Sequence, residues 1–251
     1  MANIPVAVQL YTVREEVKKD FAGTLEKIAA MGYDGVEFAG YWEDYRPTEL
    51  KKILDNLGLR IAGSHIPLDM LKSDLLQVIE YQQELGNKKI ICPYLLPEER
   101  KTKEDYLRLA GLFNEIGKKC KEHGITFIYH NHDFELHRFG DETGLEILLN
   151  ETNPEWMQFE LDIYWLKKAG EEPLTWLAKY QDRIPLIHLK DMTDDKEEFF
   201  AELGTGKIDF KPIINFGRQH SVEWWVVEQD KCKRDPLESI KISISYLKSI
   251  L

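Results

Sequence analysis

Cysteine is scarce in this sequence, paired cysteines and long apolar runs are missing, and positive charge is in deficit. Each lack removes a class of protein. The three cysteines, Cys92, Cys120 and Cys232, are widely spaced and form no CxxC pair. Such a set builds neither a disulfide framework nor a structural zinc site, and it points to a reducing compartment. The start, Met1-Ala2-Asn3-Ile4-Pro5, has no basic region followed by an apolar core, so the expectation is a chain without a secretory leader. No apolar run is long enough to span a bilayer. With 33 Lys and Arg against 44 Asp and Glu, the net charge is -11. That balance argues against non-specific binding to nucleic acid or to an anionic membrane, while leaving room for a local anion site. The expected location is cytoplasmic.

What is present is a repeated pattern. The 251 residues are 43% hydrophobic and 31% charged, which fits a globular chain of the length of one α/β barrel. Val6 to Leu10 reads as a first strand, and Phe21, Leu25, Ile28 and Ala29 then recur on one helical face that Gly32 stops. Val36 to Phe38 is a second strand, followed by a helix opened by Pro47 and Thr48 and closed by Gly58. Leu59 to Ala62 is a third, followed by a helix through Leu71, Leu75, Val78 and Ile79. Ile90 to Cys92 is a fourth, followed by a helix that Thr102 and Asp105 cap reciprocally.

Ile125 to Tyr129, Met157 to Leu161, Ile184 to Leu189 and Trp224 to Val227 complete the set of strands. Pro185 is tolerable only near the start of its strand. Asp209 and Asp235 cap the last two helices. Eight strand-then-helix units without a linker predict a single-domain (β/α)8 barrel spanning residues 1–251 rather than an open doubly wound sheet, for which a GxGxxG is also missing.

In such a barrel chemistry belongs where strands end, and there the sequence is polar. Tyr129-His130-Asn131-His132-Asp133-Phe134-Glu135 follows strand five, with Glu160 and Asp162 on strand six, His188, Lys190 and Asp191 on strand seven, and Glu228 and Asp230 on strand eight. Alternation puts His130 with His132, Glu160 with Asp162, and His188 with Lys190 on shared faces. Asp162, His188 and Glu228 can therefore converge on one ion with a fourth ligand from strand five, and mixed imidazole and carboxylate donors suit Mn²⁺, Mg²⁺, Co²⁺ or Zn²⁺. A lone histidine is more often structural than a ligand, and Glu37 or Asp191 alone could cap a helix. The coincidence across four strands is what favours a site. Gly204-Thr205-Gly206-Lys207-Ile208-Asp209 lacks the GxxxxGK[ST] spacing of a nucleotide loop, although a helix after it could receive a phosphate or a sugar hydroxyl.

At these residues, together with Gln9-Leu10-Tyr11-Thr12 and Gly32-Tyr33-Asp34-Gly35-Val36-Glu37, nearly the whole chain resembles the sugar phosphate isomerase/epimerase family, the xylose isomerase-like barrels. The resemblance implies a metal-bound ketose or related polyol, with Glu, Asp, His and Glu ligands from strands five to eight. Asp162, His188 and Glu228 match the last three. Many members have a glutamate where this chain has His130, so Glu135 is the expected fourth ligand, with His130 or His132 as the replacements to weigh. The resemblance also implies Glu228 as catalytic base with Glu135 as its counterpart, and His65, His130, His132 and Lys190 as contacts to substrate hydroxyls or a developing enediolate.

The same chemistry serves a metal-dependent lyase of the inosose dehydratase type. A DNA-repair endonuclease on this fold needs several zinc ions, and seven histidines and a charge of -11 count against it. A sugar-binding barrel without catalysis is a third alternative. Substrate choice falls to the loops from Ala39 to Tyr45 and from Tyr94 to Thr102. Trp42 offers a lid or the interface of a homo-oligomer.

Overall fold

The computed structural model describes residues 4–40 and 45–251, so Trp42 and the middle of its loop lie outside the described residues. The strands are β1 Val6–Gln9, β2 Gly35–Ala39, β3 Arg60–His65, β4 Lys89–Cys92, β5 Thr126–His130, β6 Met157–Asp162, β7 Leu186–Leu189 and β8 Trp224–Val227. All eight are parallel and each pairs with its sequence neighbours, and β8 closes the barrel on β1 through Val6↔Trp225, Ala7↔Val226 and Val8↔Val227. Parallel neighbours need crossovers, and the helices that supply them surround the barrel.

The helix signals act where expected. Gly32 and Gly58 end Phe21–Met31 and Pro47–Leu57 at φ of 87° and 67°, backbone that an L side chain resists. Thr102 Oγ1 accepts from the Asp105 amide at 3.2 Å while the Asp105 carboxylate accepts from the Thr102 amide at 3.0 Å, starting Lys103–Glu122. Asp235 accepts from the amides of Leu237 and Glu238 at the head of Pro236–Ile250.

Several boundaries differ from expectation. β3 runs on to His65, because Ser64 and His65 pair with Ile90 and Ile91 of β4 although they are polar. The helix through Leu71 and Ile79 is two, Leu68–Ser73 and Leu75–Leu85, parted at Asp74. Asp209 stands two residues before Lys211–Gln219 and accepts from the Lys211 amide at 3.1 Å. Pro185 precedes β7, where its carbonyl accepts from Glu223.

Alternation then sorts side chains into two layers. Val8, Val36, Phe127, Tyr129, Phe159, Leu161, Ile187 and Val227 join the large core beneath the helices. Ala7, Ala62, Ile91, Ile128, Leu186, Trp224 and Val226 form a separate apolar plug inside the barrel. The inward positions one step further along the strands are Gln9, Glu37, His130, Glu160, His188 and Glu228, and all of them are buried.

Candidate metal and substrate site

A buried carboxylate organises this inner layer. Glu160 Oε2 lies 3.0 Å from His130 Nδ1, 3.0 Å from His188 Nε2 and 2.9 Å from His65 Nε2. Glu37 Oε2 lies 2.7 Å from His188 Nε2 and 3.0 Å from His65 Nε2, and accepts from Gln9 Nε2 at 2.7 Å. The carboxylates thus take an N–H from His130 and from His188 on the side of the apolar plug. The second nitrogens face the other way: His130 Nε2 is 3.7 Å from Asp162 Oδ2, and His188 Nδ1 is 2.9 Å from Glu228 Oε2. His130, Asp162, His188 and Glu228 each place one ligand atom within 4.8 Å of the others.

Asp162 shows how the local fold frees a donor. Its Oδ1 caps the helix Ile163–Lys168 by accepting from the Trp165 amide at 3.1 Å, and its own amide donates to Asn131 Oδ1 at 3.0 Å. Its Oδ2 is buried and makes no well-aligned hydrogen bond, with Lys190 Nζ as an ion-pair neighbour at 3.0 Å. Burial lifts the Asp162 carboxyl to about 6 against the opposing pull of Lys190 and His188.

Burial opposes the charged form of His188, but Glu160 and Glu37 outweigh it and hold the imidazolium well above the ordinary range. A cation held in this group would take the place of the His188 Nδ1 proton, since a ligating imidazole nitrogen must be unprotonated. Burial and the neighbouring His188 keep His130 neutral. Two imidazoles each with one nitrogen held by a carboxylate, together with the carboxylates of Asp162 and Glu228, would fit a divalent ion.

Above the group lies a cavity of about 420 Å³, lined among others by Tyr11, His65, Tyr94, His130, His132, Lys190, Glu228 and Asp230. That volume suits a small ligand. Lys190 is 1% exposed, yet its Nζ lies 3.0 Å from Asp162 Oδ2, 2.7 Å from Glu228 Oε2 and 2.7 Å from Asp230 Oδ1. Burial disfavours that ammonium, and the three carboxylates more than restore it, so it stays charged. Burial likewise pushes Glu228 up, while Lys190 and His188 pull it well below the carboxylate range. Burial depresses His65, but Glu37 and Glu160 lift it to about 9. His132 lies over Phe134 with rings 8° apart and carries a buried Nδ1 without a partner. Burial and the Lys190 charge depress it to about 3, so it is neutral.

His65, His130, His132, Asp162, His188, Lys190 and Glu228 thus come together. Glu135 does not join them. Its carboxylate accepts from the Tyr129 hydroxyl and, at 2.8 Å, from the His132 amide. Tyr129 points outward among Phe113 and Phe159, so Glu135 is drawn to the helix side of β5, and burial there lifts it to about 7. Glu37, Glu160, Gln9 and Asp230 carry parts that sequence reasoning did not assign. The signal for Glu160 was available: two residues before Asp162 on one strand, it shares the inward face.

A family model described as xylose isomerase-like TIM barrel matches residues 25–250 of the chain. The chain is 27% identical to an inosose dehydratase of Lacticaseibacillus casei, an alignment covering 90% of this chain and 88% of that one. Its structure superposes on a sugar phosphate isomerase/epimerase from Parabacteroides distasonis with a TM-score of 0.86 at 25% identity, covering 99% and 95% of the two chains. A D-allulose 3-epimerase from Methylomonas sp. shares the fold, with a TM-score of 0.75 at 14% identity over 100% and 99%.

Proposed function

We propose, for a chain that belongs to the xylose isomerase-like TIM barrel family, a divalent-metal-dependent isomerase or epimerase that acts on a ketose, keto-sugar or related polyol by removing a proton beside a carbonyl. His130, Asp162, His188 and Glu228 would hold the ion, with His130 standing where Glu135 was expected. When bound, the ion supplies Lewis acidity toward a carbonyl or hydroxyl oxygen. Mixed imidazole and carboxylate donors favour Mn²⁺, Co²⁺ or Zn²⁺ over Mg²⁺, which prefers oxygen ligands. The observation that carries the reading is the pair of imidazoles whose N–H groups are taken by Glu160 (from His130) and Glu37 (from His188), leaving their other nitrogens beside Asp162 and Glu228.

Glu228 is the proposed base: it lines the cavity and is ionised. Lys190 and His188 also lower its basicity, so it would act once Lys190 turns from it to the substrate oxygen. Lys190 steadies the oxygen that gains charge as the proton leaves. His65 and His132 receive substrate hydroxyls. His132, on the β5 side and neutral, replaces Glu135 as the group that exchanges a proton with the product.

A second reading, a lyase of the inosose dehydratase kind, is favoured by one observation. Among the described residues, the acids lining the cavity, Glu228 and Asp230, both follow from β8, and the β5 side offers imidazoles instead of a matching carboxylate. Epimerisation between two carboxylates is then disfavoured, whereas elimination needs one base and one proton donor. Product analysis on ketoses, 3-keto-sugars and inososes with and without Mn²⁺ separates the two. Epimeric or isomeric products support the first reading, loss of water supports the second, and no metal-dependent turnover on any of them retires both.

A further inference from the structure

His132 stands on a stretch of main chain that two buried side chains hold. It lies between the end of β5 and the short turn Phe134–Leu136, outside any strand or helix. Its N–H donates to Glu135 Oε2 at 2.8 Å, and its carbonyl accepts from Asn131 Nδ2 at 3.3 Å. Both partners are tied elsewhere. The other Glu135 oxygen accepts from the Tyr129 hydroxyl, and the Tyr129 ring packs against Phe113 and Phe159. Asn131 Oδ1 accepts from the Asp162 amide at 3.0 Å. His132 is thus fixed from one side to the outer face of β5 and from the other to the strand that carries Asp162.

An apolar side chain would fill this space at lower cost. Glu135 is 0% exposed, and a carboxylate taken out of water must be hydrogen-bonded. Both of its bonds here hold the loop rather than pair a charge, and satisfied buried networks of this kind specify one conformation. The ring they hold lines the cavity. It sits among Phe134, Tyr94 and Trp165 at centroid distances of 5.4, 5.4 and 5.2 Å, and its Nδ1 is buried without a hydrogen-bond partner. Main chain and aromatic walls therefore set its place.

We propose that Glu135 is a positioning residue for His132. It acts through the His132 amide, and with Asn131 it clamps both peptide groups so that the imidazole meets the substrate at one place. The proposal rests on the function proposed above, in which His132 exchanges a proton with the product. A reacting group displaced by about 1 Å costs on the order of a hundred-fold in rate.

The test has two arms. Glu135→Ala removes the clamp. Glu135→Gln keeps it, because the carboxamide oxygen still accepts from the His132 amide while the NH2 donates to the Tyr129 oxygen. Should Glu135→Ala not fold, Tyr129→Phe, which removes one hydroxyl, takes its place in both arms. In the first arm, kcat and KM are measured with Mn²⁺ on whichever ketose, 3-keto-sugar or inosose turns over. For Glu135→Ala, kcat and kcat/KM should fall together by about ten- to hundred-fold, with metal affinity by chelator competition unchanged, and Glu135→Gln should recover most of the loss. In a His132→Ala background the same substitution should cost nothing further. An equal loss there, or unchanged kcat in the single variant, overturns the proposal. The second arm needs no turnover. The His132 amide should be protected from hydrogen exchange in the wild type and exchange at least about ten-fold faster in the variant, and an unprotected amide in the wild type overturns the proposal. No turnover on any compound retires the functional reading, while the exchange arm still decides the clamp.

Discussion

One residue, His130, sets this site apart from a carboxylate-only corner on β5. An imidazole there is neutral, reaches Asp162 with one nitrogen, and needs Glu160 for the other. Glu228→Gln keeps the shape of the side chain but removes the proposed base. Turnover should fall by about 10²–10⁴-fold with the circular dichroism spectrum unchanged, and undiminished kcat would mean that the base is elsewhere. Glu135 has a different kind of consequence. Its carboxyl is lifted to about 7 in the folded chain from an ordinary 4.5. Between those values the native state holds the proton more tightly than the unfolded state, so this group's contribution is present at low pH and declines as pH rises toward 7. In Glu135→Gln, the loss of melting temperature between pH 5 and 7 should be smaller than in the wild type. Identical pH profiles would show that Glu135 keeps its ordinary acidity.

At the scale of elements, the strand end is the working unit. Two steps along β6 carry Glu160 under the imidazoles and Asp162 beside them, and Asp162 also caps the helix that follows. Glu160→Ala leaves His130 without the acceptor that orients it and His188 with Glu37 alone. Metal affinity, read by chelator competition, should weaken about 10–100-fold, and unchanged affinity would remove Glu160 from the site's support. The loop after β7 depends on close approach. A Cβ at Gly206 would stand 2.2 Å from Met192 O and 2.4 Å from Asp191 Oδ1. Gly206→Ala should therefore cost about 1–3 kcal/mol by overpacking, measured by urea denaturation. A neutral result would mean that the loop yields freely.

For the whole molecule, eight sequential parallel strands place every strand end on one rim, so residues from 11 to 230 meet in a single cavity. An ion bound only by the folded chain stabilises all of it. At about 100 times its dissociation constant, Mn²⁺ or Zn²⁺ should add about 2.7 kcal/mol, or roughly 5–10 °C of melting temperature for a chain of this size. A chelator should reverse the shift, and a melting curve indifferent to every divalent ion would argue against the site.

Element type and order were legible in the sequence, because periodicity, Gly stops and Asp or Thr caps are local. The apolar runs of β5, β6 and β8 and the caps at Thr102 and Asp235 stand within a residue of where the pattern puts them. The convergence of Asp162, His188 and Glu228 was legible too, since period-two alternation and a closed barrel leave few places for inward side chains. Two things were not. β3 extends through polar residues because pairing with β4 outweighs their low apolarity. Glu135 turns outward because Tyr129, facing the helices, offers it a buried hydroxyl. The sequence by itself determined the repeating strand and helix units and the chemical types at the strand ends. Only the tertiary structure decided which nitrogen of each imidazole is taken and which carboxylate is drawn from the axis, because hydrogen bonds between strands 30 or more residues apart exist only after the barrel closes.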